Sequence, residues 1–246
     1  MNSTNRSGNF SLKNFPAWRE VKSRGNVRPV GAFTARINTD PVVNHTLEPF
    51  DAFILAGGAS RRMGTDKAQL SLHGATMLDN TAEILRSISA TVTVVGRDIN
   101  HQQLKSVPDI YPQWGALGGV HAALITCQTT WALVVACDMP NINEELFRRL
   151  APFREDFEAV APIQPDGRPQ PLCAFYRKEP CLEKAEALIE SGERKPITLL
   201  QSVRTRWVSF QELRSLPEAD LLFENMNTPE DYLRAKSKGA ESQSKN

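Results

Sequence analysis

The sequence predicts an α/β fold on a mostly parallel sheet, and three observations carry that prediction. Short, mostly apolar runs recur at 50–55, 91–95 and 131–136, the second of them (TVTVV) β-branched, as expected of parallel strands buried on both faces. Stretches of helical periodicity follow them at 77–88, 118–125 and 143–150, so strand and helix alternate at the spacing of right-handed βαβ crossovers. Two of the runs end in chemistry-bearing residues, Gly57-Gly58 after the first and Asp138 after the third. Open α/β sheets bind their ligands at that edge, beyond the carboxyl ends of the strands.

Taken in order, 50–55 is the first strand. Met77, Leu78, Ala82, Leu85 and Ile88 then line one face of a helix. Residues 91–95 (TVTVV) form a short buried strand. Residues 107–118 read as a loop, broken by Pro108, Pro112 and Gly115, before a helix over 118–125. The strand 131–136 (WALVVA) ends at Cys137-Asp138-Met139-Pro140, and a helix follows over 143–150. The second half is more mixed. Strands at 157–161 and 172–176 flank the turn signal Gln164-Pro165-Asp166-Gly167, which predicts a hairpin. An amphipathic helix over 181–190 stops at Ser191-Gly192, and a short strand follows at 206–209. The last helix opens at Thr228 as N-cap with Pro229 in the first position. No internal repeat is present.

The chain has 246 residues, 23% charged and 41% hydrophobic, with a net charge of +1. That is ordinary for a soluble globular protein and gives no strong field to attract nucleic acid or an anionic membrane. No apolar run approaches the roughly 18 residues of a membrane span. The start lacks the apolar stretch of a secretory signal. Residues 1–49 carry seven Lys/Arg against three Asp/Glu and no sustained periodicity. They read as a disordered extension or the product of an upstream start, with a transit peptide as the lesser alternative. A single domain is expected over 50–236, then a polar tail over 237–246. Cys127, Cys137, Cys173 and Cys181 form no C-x-x-C pair, and the four histidines form no H-x-x-x-H pair, which argues against a zinc enzyme. Buried thiols point to a reducing cytoplasm.

The densest chemistry lies in residues 53–70, FILAGGASRRMGTDKAQL. A strand runs straight into Gly57-Gly58, and Arg61, Arg62 and Lys67 follow within ten positions. Glycines allow consecutive N–H groups to form a concave anion cradle. Arg and Lys add the full charges that phosphate oxygens need. A glycine pair alone reads as a tight turn; the three cations favour phosphate. The spacing fits neither the Rossmann fingerprint nor the Walker loop. Asp138, at the same sheet edge, reads as a Mg2+ ligand or as a local turn residue before Pro140.

The order Leu55-Ala56-Gly57-Gly58, Ser60, Arg62-Met63-Gly64, Asp66-Lys67 resembles the signature loop of the molybdenum cofactor guanylyltransferase family, of MobA type, within the sugar-nucleotide-transferase-like nucleotidyltransferases. The resemblance covers about 52–235. It implies a three-layer α/β/α sandwich with a mostly parallel mixed sheet and a Rossmann-like nucleotide-binding half. It also implies transfer of GMP from GTP to the terminal phosphate of molybdopterin, with release of pyrophosphate. On that reading Arg62, Lys67 and Asp138 are catalytic, and Asp138 holds Mg2+. Leu55, Ala56, Gly57, Gly58, Lys67, Asp109 and Asp138 contact GTP. Asp109 precedes a Gly115-Ala116-Leu117-Gly118-Gly119 segment that resembles the family's GPLGG; it reads equally as a turn residue. Gly118 and Gly119 either pack a helix closely or border the nucleotide, and His121 reads as structural. Asn225 and Asn227, in an N-x-N-T-P segment, are implied to bind the pterin. Arg168, Arg194 and Lys195 are further candidates for the second substrate. Gly96 stands where the family often has a polar residue. Apo-molybdoenzymes or other cofactor-biosynthesis proteins are implied as further partners.

Two alternatives stay open. One is a related nucleotidyltransferase using CTP or a sugar or alcohol phosphate acceptor. The other is a non-catalytic nucleotide or cofactor carrier.

Overall fold

The computed structural model describes residues 48–56, 71–72, 75–96, 103–111 and 114–225. The predicted extension before them, the polar tail and the helix expected from Thr228 lie outside the described residues.

β1 (Phe50–Leu55) starts the sheet, and a two-residue hairpin, β2 (Ser71–Leu72) with β3 (Ala75–Thr76), leads into α1 (Met77–Arg86). Thr76 and Asp79 close a capping box at its start, the Thr76 hydroxyl accepting from the Asp79 N–H at 3.1 Å. β4 (Val92–Val95), β5 (Lys105–Val107), α2 (Gly115–Thr126), β6 (Trp131–Ala136) and α3 (Glu144–Leu150) follow. A 3-10 turn (Ala151–Arg154) precedes β7 (Ala159–Pro162), β8 (Cys173–Arg177), α4 (Lys178–Glu190), α5 (Pro196–Ser202), β9 (Thr205–Val208) and α6 (Phe210–Leu213).

Seven strands form one sheet in the order β5-β4-β1-β6-β8-β7-β9. Among the described strands of this sheet only β8 runs antiparallel to its neighbours; β5, β4, β1 and β6 are parallel, and β7 pairs in parallel with β9. Alternation along each strand feeds two cores. Ile54 and Val135 face a cluster with Leu78, Leu85 and Phe147, from α1 and α3. Phe53 and Val134 face one with Val120, Ala185 and Leu199, from α2, α4 and α5. The result is the expected three-layer α/β/α sandwich.

Two expectations are corrected. The stretch 107–118 is not all loop: Val107 ends β5, and α2 begins three residues earlier than predicted, at Gly115. β5 has only three residues (Lys-Ser-Val), without an apolar run, and the glycines of α2 mask a helix buried on nearly all sides. α5 was not expected; its only local signal is Pro196 at the start. The 164–167 turn forms as predicted, with Gly167 at φ +82° and its N–H donating to the Gln164 carbonyl at 2.9 Å. Among the described residues no helix is long and apolar enough to cross a membrane.

At the opposite edge from the predicted site, the buried Asp51 ties the start of β1 to the entry of β6. Its carboxylate accepts from the N–H groups of Gln128 (2.6 Å) and Thr129 (3.0 Å) and from the Thr91 hydroxyl. Burial alone would push the carboxyl up; the hydrogen bonds outweigh it and hold it below the usual carboxylate range.

Candidate active site

The order β5-β4-β1-β6 reverses direction between β1 and β6. The chain grows from β1 to β4 and β5, then crosses back to place β6 on the other side of β1. Such a switch point leaves a crevice beyond the carboxyl ends of the strands. Leu55 stands in register with both Val95 and Ala136, so three strands end level. Their exits are joined by backbone bonds: Ala56 N–H to Val95 (3.1 Å), Gly96 N–H to Val107 (3.0 Å) and Cys137 N–H to Leu55 (3.3 Å). A fixed floor results, from which the segments after β1, β4, β5 and β6 depart.

Gly96 has φ +96°, which L side chains rarely adopt. The glycine there therefore follows from the turn after β4.

Asp109 lies two residues beyond β5 and is half-buried. Its Oδ1 is buried without a hydrogen-bond partner among the described residues, and burial pushes its carboxyl up. Gly119 explains how close it stands to the floor. A Cβ built on Gly119 would lie 3.8 Å from Asp109 Oδ1 and 3.2 Å from Leu55 Cδ1. The glycine thus lets α2 pack directly against the end of β1 beside the Asp109 carboxylate. A buried carboxylate oxygen without a donor at a strand-end crevice suits a ligand that brings N–H groups.

Asp138 occupies the first turn after β6, half-buried between Cys137 and the fully buried Met139. Among the described residues no group of three or more His, Cys, Asp or Glu could hold a metal. One carboxylate at a strand-end crevice is compatible with Mg2+, which keeps several waters and takes one or two carboxylates plus phosphate oxygens. The donor set therefore suits a metal that arrives with a nucleotide.

The loop after α4 reaches the same edge. Trp114 donates its Nε1–H to the Glu193 carbonyl (2.7 Å), and the Arg194 guanidinium lies 5.0 Å from the centre of the Trp114 ring. The Glu193 carboxylate in turn accepts from the N–H groups of Arg194 (2.8 Å) and Lys195 (3.0 Å). Arg194 and Lys195 are thereby fixed beside the start of α2. Sequence reasoning missed Trp114; no periodicity marks it, and only its place before Gly115 hints at a role. Arg168 pairs with Asp166 at 2.6 Å on the exposed turn between β7 and β8. Asn225 is described and exposed. Gly57, Gly58, Arg62, Lys67 and Asn227 lie outside the described residues. The structure thus brings Leu55, Ala56, Asp109 and Asp138 to one sheet edge.

Comparison with known proteins agrees with this geometry. A family model described as a MobA-like NTP transferase domain matches residues 52–206. A probable molybdenum cofactor guanylyltransferase from Pelotomaculum thermopropionicum is 37% identical over 186 residues, covering 74% of this chain and 90% of that protein. A molybdenum cofactor guanylyltransferase from Vibrio atlanticus is 34% identical over 185 residues, covering 72% and 91%. Among solved structures, the molybdopterin-guanine dinucleotide biosynthesis protein A from Archaeoglobus fulgidus superposes with a TM-score of 0.67 at 25% identity, over 78% of this chain and 99% of that one. A 2-C-methyl-D-erythritol 4-phosphate cytidylyltransferase from Thermus thermophilus shares the fold, with a TM-score of 0.57 at 16% identity, over 76% and 98%.

Proposed function

The chain belongs to the MobA-like NTP transferases, among the molybdenum cofactor guanylyltransferases, and from that premise we propose that it transfers GMP from GTP to molybdenum-loaded molybdopterin. The observation that carries the proposal is the 37% identity over 186 residues to a relative of that name, joined to a strand-end crevice with a donor-seeking Asp109 on one side and Asp138 on the other.

In the proposed reaction a terminal phosphate oxygen of molybdopterin attacks the α-phosphorus of GTP. The bond from that phosphorus to the bridging oxygen breaks, and pyrophosphate leaves with the electron pair. The product is the guanine dinucleotide form of the cofactor. Such transfers depend on positioning and charge neutralisation more than on covalent chemistry. The Gly57-Gly58 backbone, reached directly from Leu55 and Ala56, would cradle the phosphates. Arg62 and Lys67 would offset the charge of the departing pyrophosphate. Asp109 would accept the N1–H and N2–H of guanine, which supply the donors its buried oxygen lacks. Asp138 would hold Mg2+, which when bound supplies Lewis-acid charge stabilisation at the phosphate oxygens. Asn225 and Asn227 would bind the pterin, and Arg194 and Lys195 would stand near its phosphate.

The test is pyrophosphate release by the purified full chain with Mg2+ and molybdopterin, comparing GTP with CTP and ATP. Release with GTP alone is expected. Release with CTP alone would keep the chemistry and change the nucleotide. Nucleotide binding without release would favour another acceptor or a carrier.

A further inference from the structure

α2 holds a buried histidine that the proposed chemistry leaves unused. His121 is 1% exposed, and neither ring nitrogen has a hydrogen-bond partner among the described residues. The Glu186 carboxylate on α4 is 3.7 Å from Nε2, beyond hydrogen-bond reach. A buried ring with two unsatisfied nitrogens is costly and calls for a reason. Besides this long ion-pair contact, His121 packs against Tyr111. The two rings meet edge-on, with centroids 4.9 Å apart and planes at 63°.

Tyr111 lies two residues after Asp109, and α2 grips this segment at successive points. Gly118 sits against the Tyr111 backbone, where a Cβ would stand 3.2 Å from the carbonyl oxygen. That carbonyl also accepts from the Trp114 N–H at 3.1 Å. Gly119 faces Asp109 itself, a Cβ there being 3.8 Å from Oδ1. His121 is three residues beyond Gly118, hence on the same side of the helix, and holds the Tyr111 ring.

We propose that His121 is a positioning residue, whose contact with Tyr111 sets where the Asp109 carboxylate stands for the nucleotide base. The proposal rests on the reading of Asp109 as the group that accepts from guanine. A planar ring at position 121 keeps Tyr111 seated edge-on. A side chain without a ring shifts the segment and with it the carboxylate.

The experiment is steady-state pyrophosphate release by the full chain, with GTP and ATP compared for wild type, His121→Ala, His121→Leu, His121→Phe and Asp109→Asn. His121→Ala and His121→Leu are expected to raise the KM for GTP about tenfold and to shrink the preference for GTP over ATP, with the KM for molybdopterin unmoved. His121→Phe, which keeps a ring against Tyr111, recovers most of the loss. In the Asp109→Asn background His121→Ala adds nothing further. If His121→Ala fails to fold, the Leu and Phe variants decide the matter. A GTP preference within twofold of wild type in the ringless variants overturns the proposal. So does a KM that rises equally for both substrates and tracks only a fall in Tm. Asp109→Asn separates the two readings. If it keeps the GTP preference, the base-recognition reading falls and the proposal falls with it. If it loses that preference while His121→Ala keeps it, only the positioning role fails.

Discussion

A Cβ on Gly119 would stand 3.2 Å from Cδ1 and 3.3 Å from Cδ2 of Leu55, so α2 and the end of β1 meet too tightly for a methyl group unless Leu55 gives by a few tenths of an ångström. In an open helix interior, glycine to alanine gains roughly 1 kcal/mol. Here the added carbon forces Leu55 aside, and overpacking costs roughly 1–3 kcal/mol. Gly119→Ala is therefore expected to lower stability by about 1 kcal/mol, and Gly119→Val by more. Leu55 is two residues before Gly57, so the KM for GTP should rise as well. Denaturant unfolding of the Leu55→Ala, Gly119→Ala double variant checks the cause: relief of the clash makes the pair non-additive by about 1 kcal/mol.

Asp109 is expected to trade stability for recognition. Burial raises its carboxyl above the ordinary value. The ionised form is therefore disfavoured in the ligand-free fold, and stability falls as pH rises through the raised folded value. The penalty is fully present above that folded value. Asp109→Asn removes it, so the ligand-free variant should unfold at a higher temperature than wild type. The same change costs the charged acceptor for guanine. A loss of about 10–100-fold in kcat/KM for GTP is expected, against little change for ATP. Thermal unfolding without nucleotide, paired with the two kinetic measurements, tests both halves.

The sequence showed most of the scaffold and only part of the site, for physical reasons. Phe50–Leu55 and Trp131–Ala136 were legible to the residue because strands buried on both faces are written as mostly apolar runs, broken in the first only by Asp51. The edge strand β5, Lys105–Val107, pairs with one neighbour only and carries no such run. The start of α2 was hidden because Gly115, Gly118 and Gly119 are poor helix formers. Gly118 and Gly119 are there for close approach to Tyr111, Trp114 and Leu55. Asp138 stood out by leaving a clear strand at the expected edge. That Asp109 has a buried oxygen without a donor among the described residues depends on what packs around it, which spacing does not encode.

Trp114 fixes the loop after α4 through two separable contacts. Trp114→Phe removes the Nε1–H bond to the Glu193 carbonyl and keeps a ring for Arg194. A loss of about 1 kcal/mol of stability is expected. Arg194→Ala keeps the hydrogen bond and gives up the stacked guanidinium, for about 0.5–1 kcal/mol. If Arg194 stands near the acceptor phosphate, that variant should also raise the KM for molybdopterin while leaving the KM for GTP in place. Unfolding and acceptor titrations of both variants separate support of the loop from contact with substrate.

Asp51 should set the acid limb of stability from the far edge of the sheet. Its carboxylate accepts from Gln128, Thr129 and Thr91, and its own N–H donates to the Thr129 hydroxyl at 3.0 Å. Because the folded value is lowered, the unfolded chain binds the proton more readily. Stability from this group is complete above the unfolded carboxylate value of about 3.9 and is lost as pH falls through the folded one. Asp51→Asn places an amide among donors and leaves backbone N–H groups poorly met, at a cost of about 2–4 kcal/mol at pH 7. The gap between wild type and variant should be constant from pH 7 to about pH 5 and narrow below about pH 4. Denaturant unfolding across that range measures it. A gap that persists undiminished in acid would show that Asp51 acts through shape and not through charge.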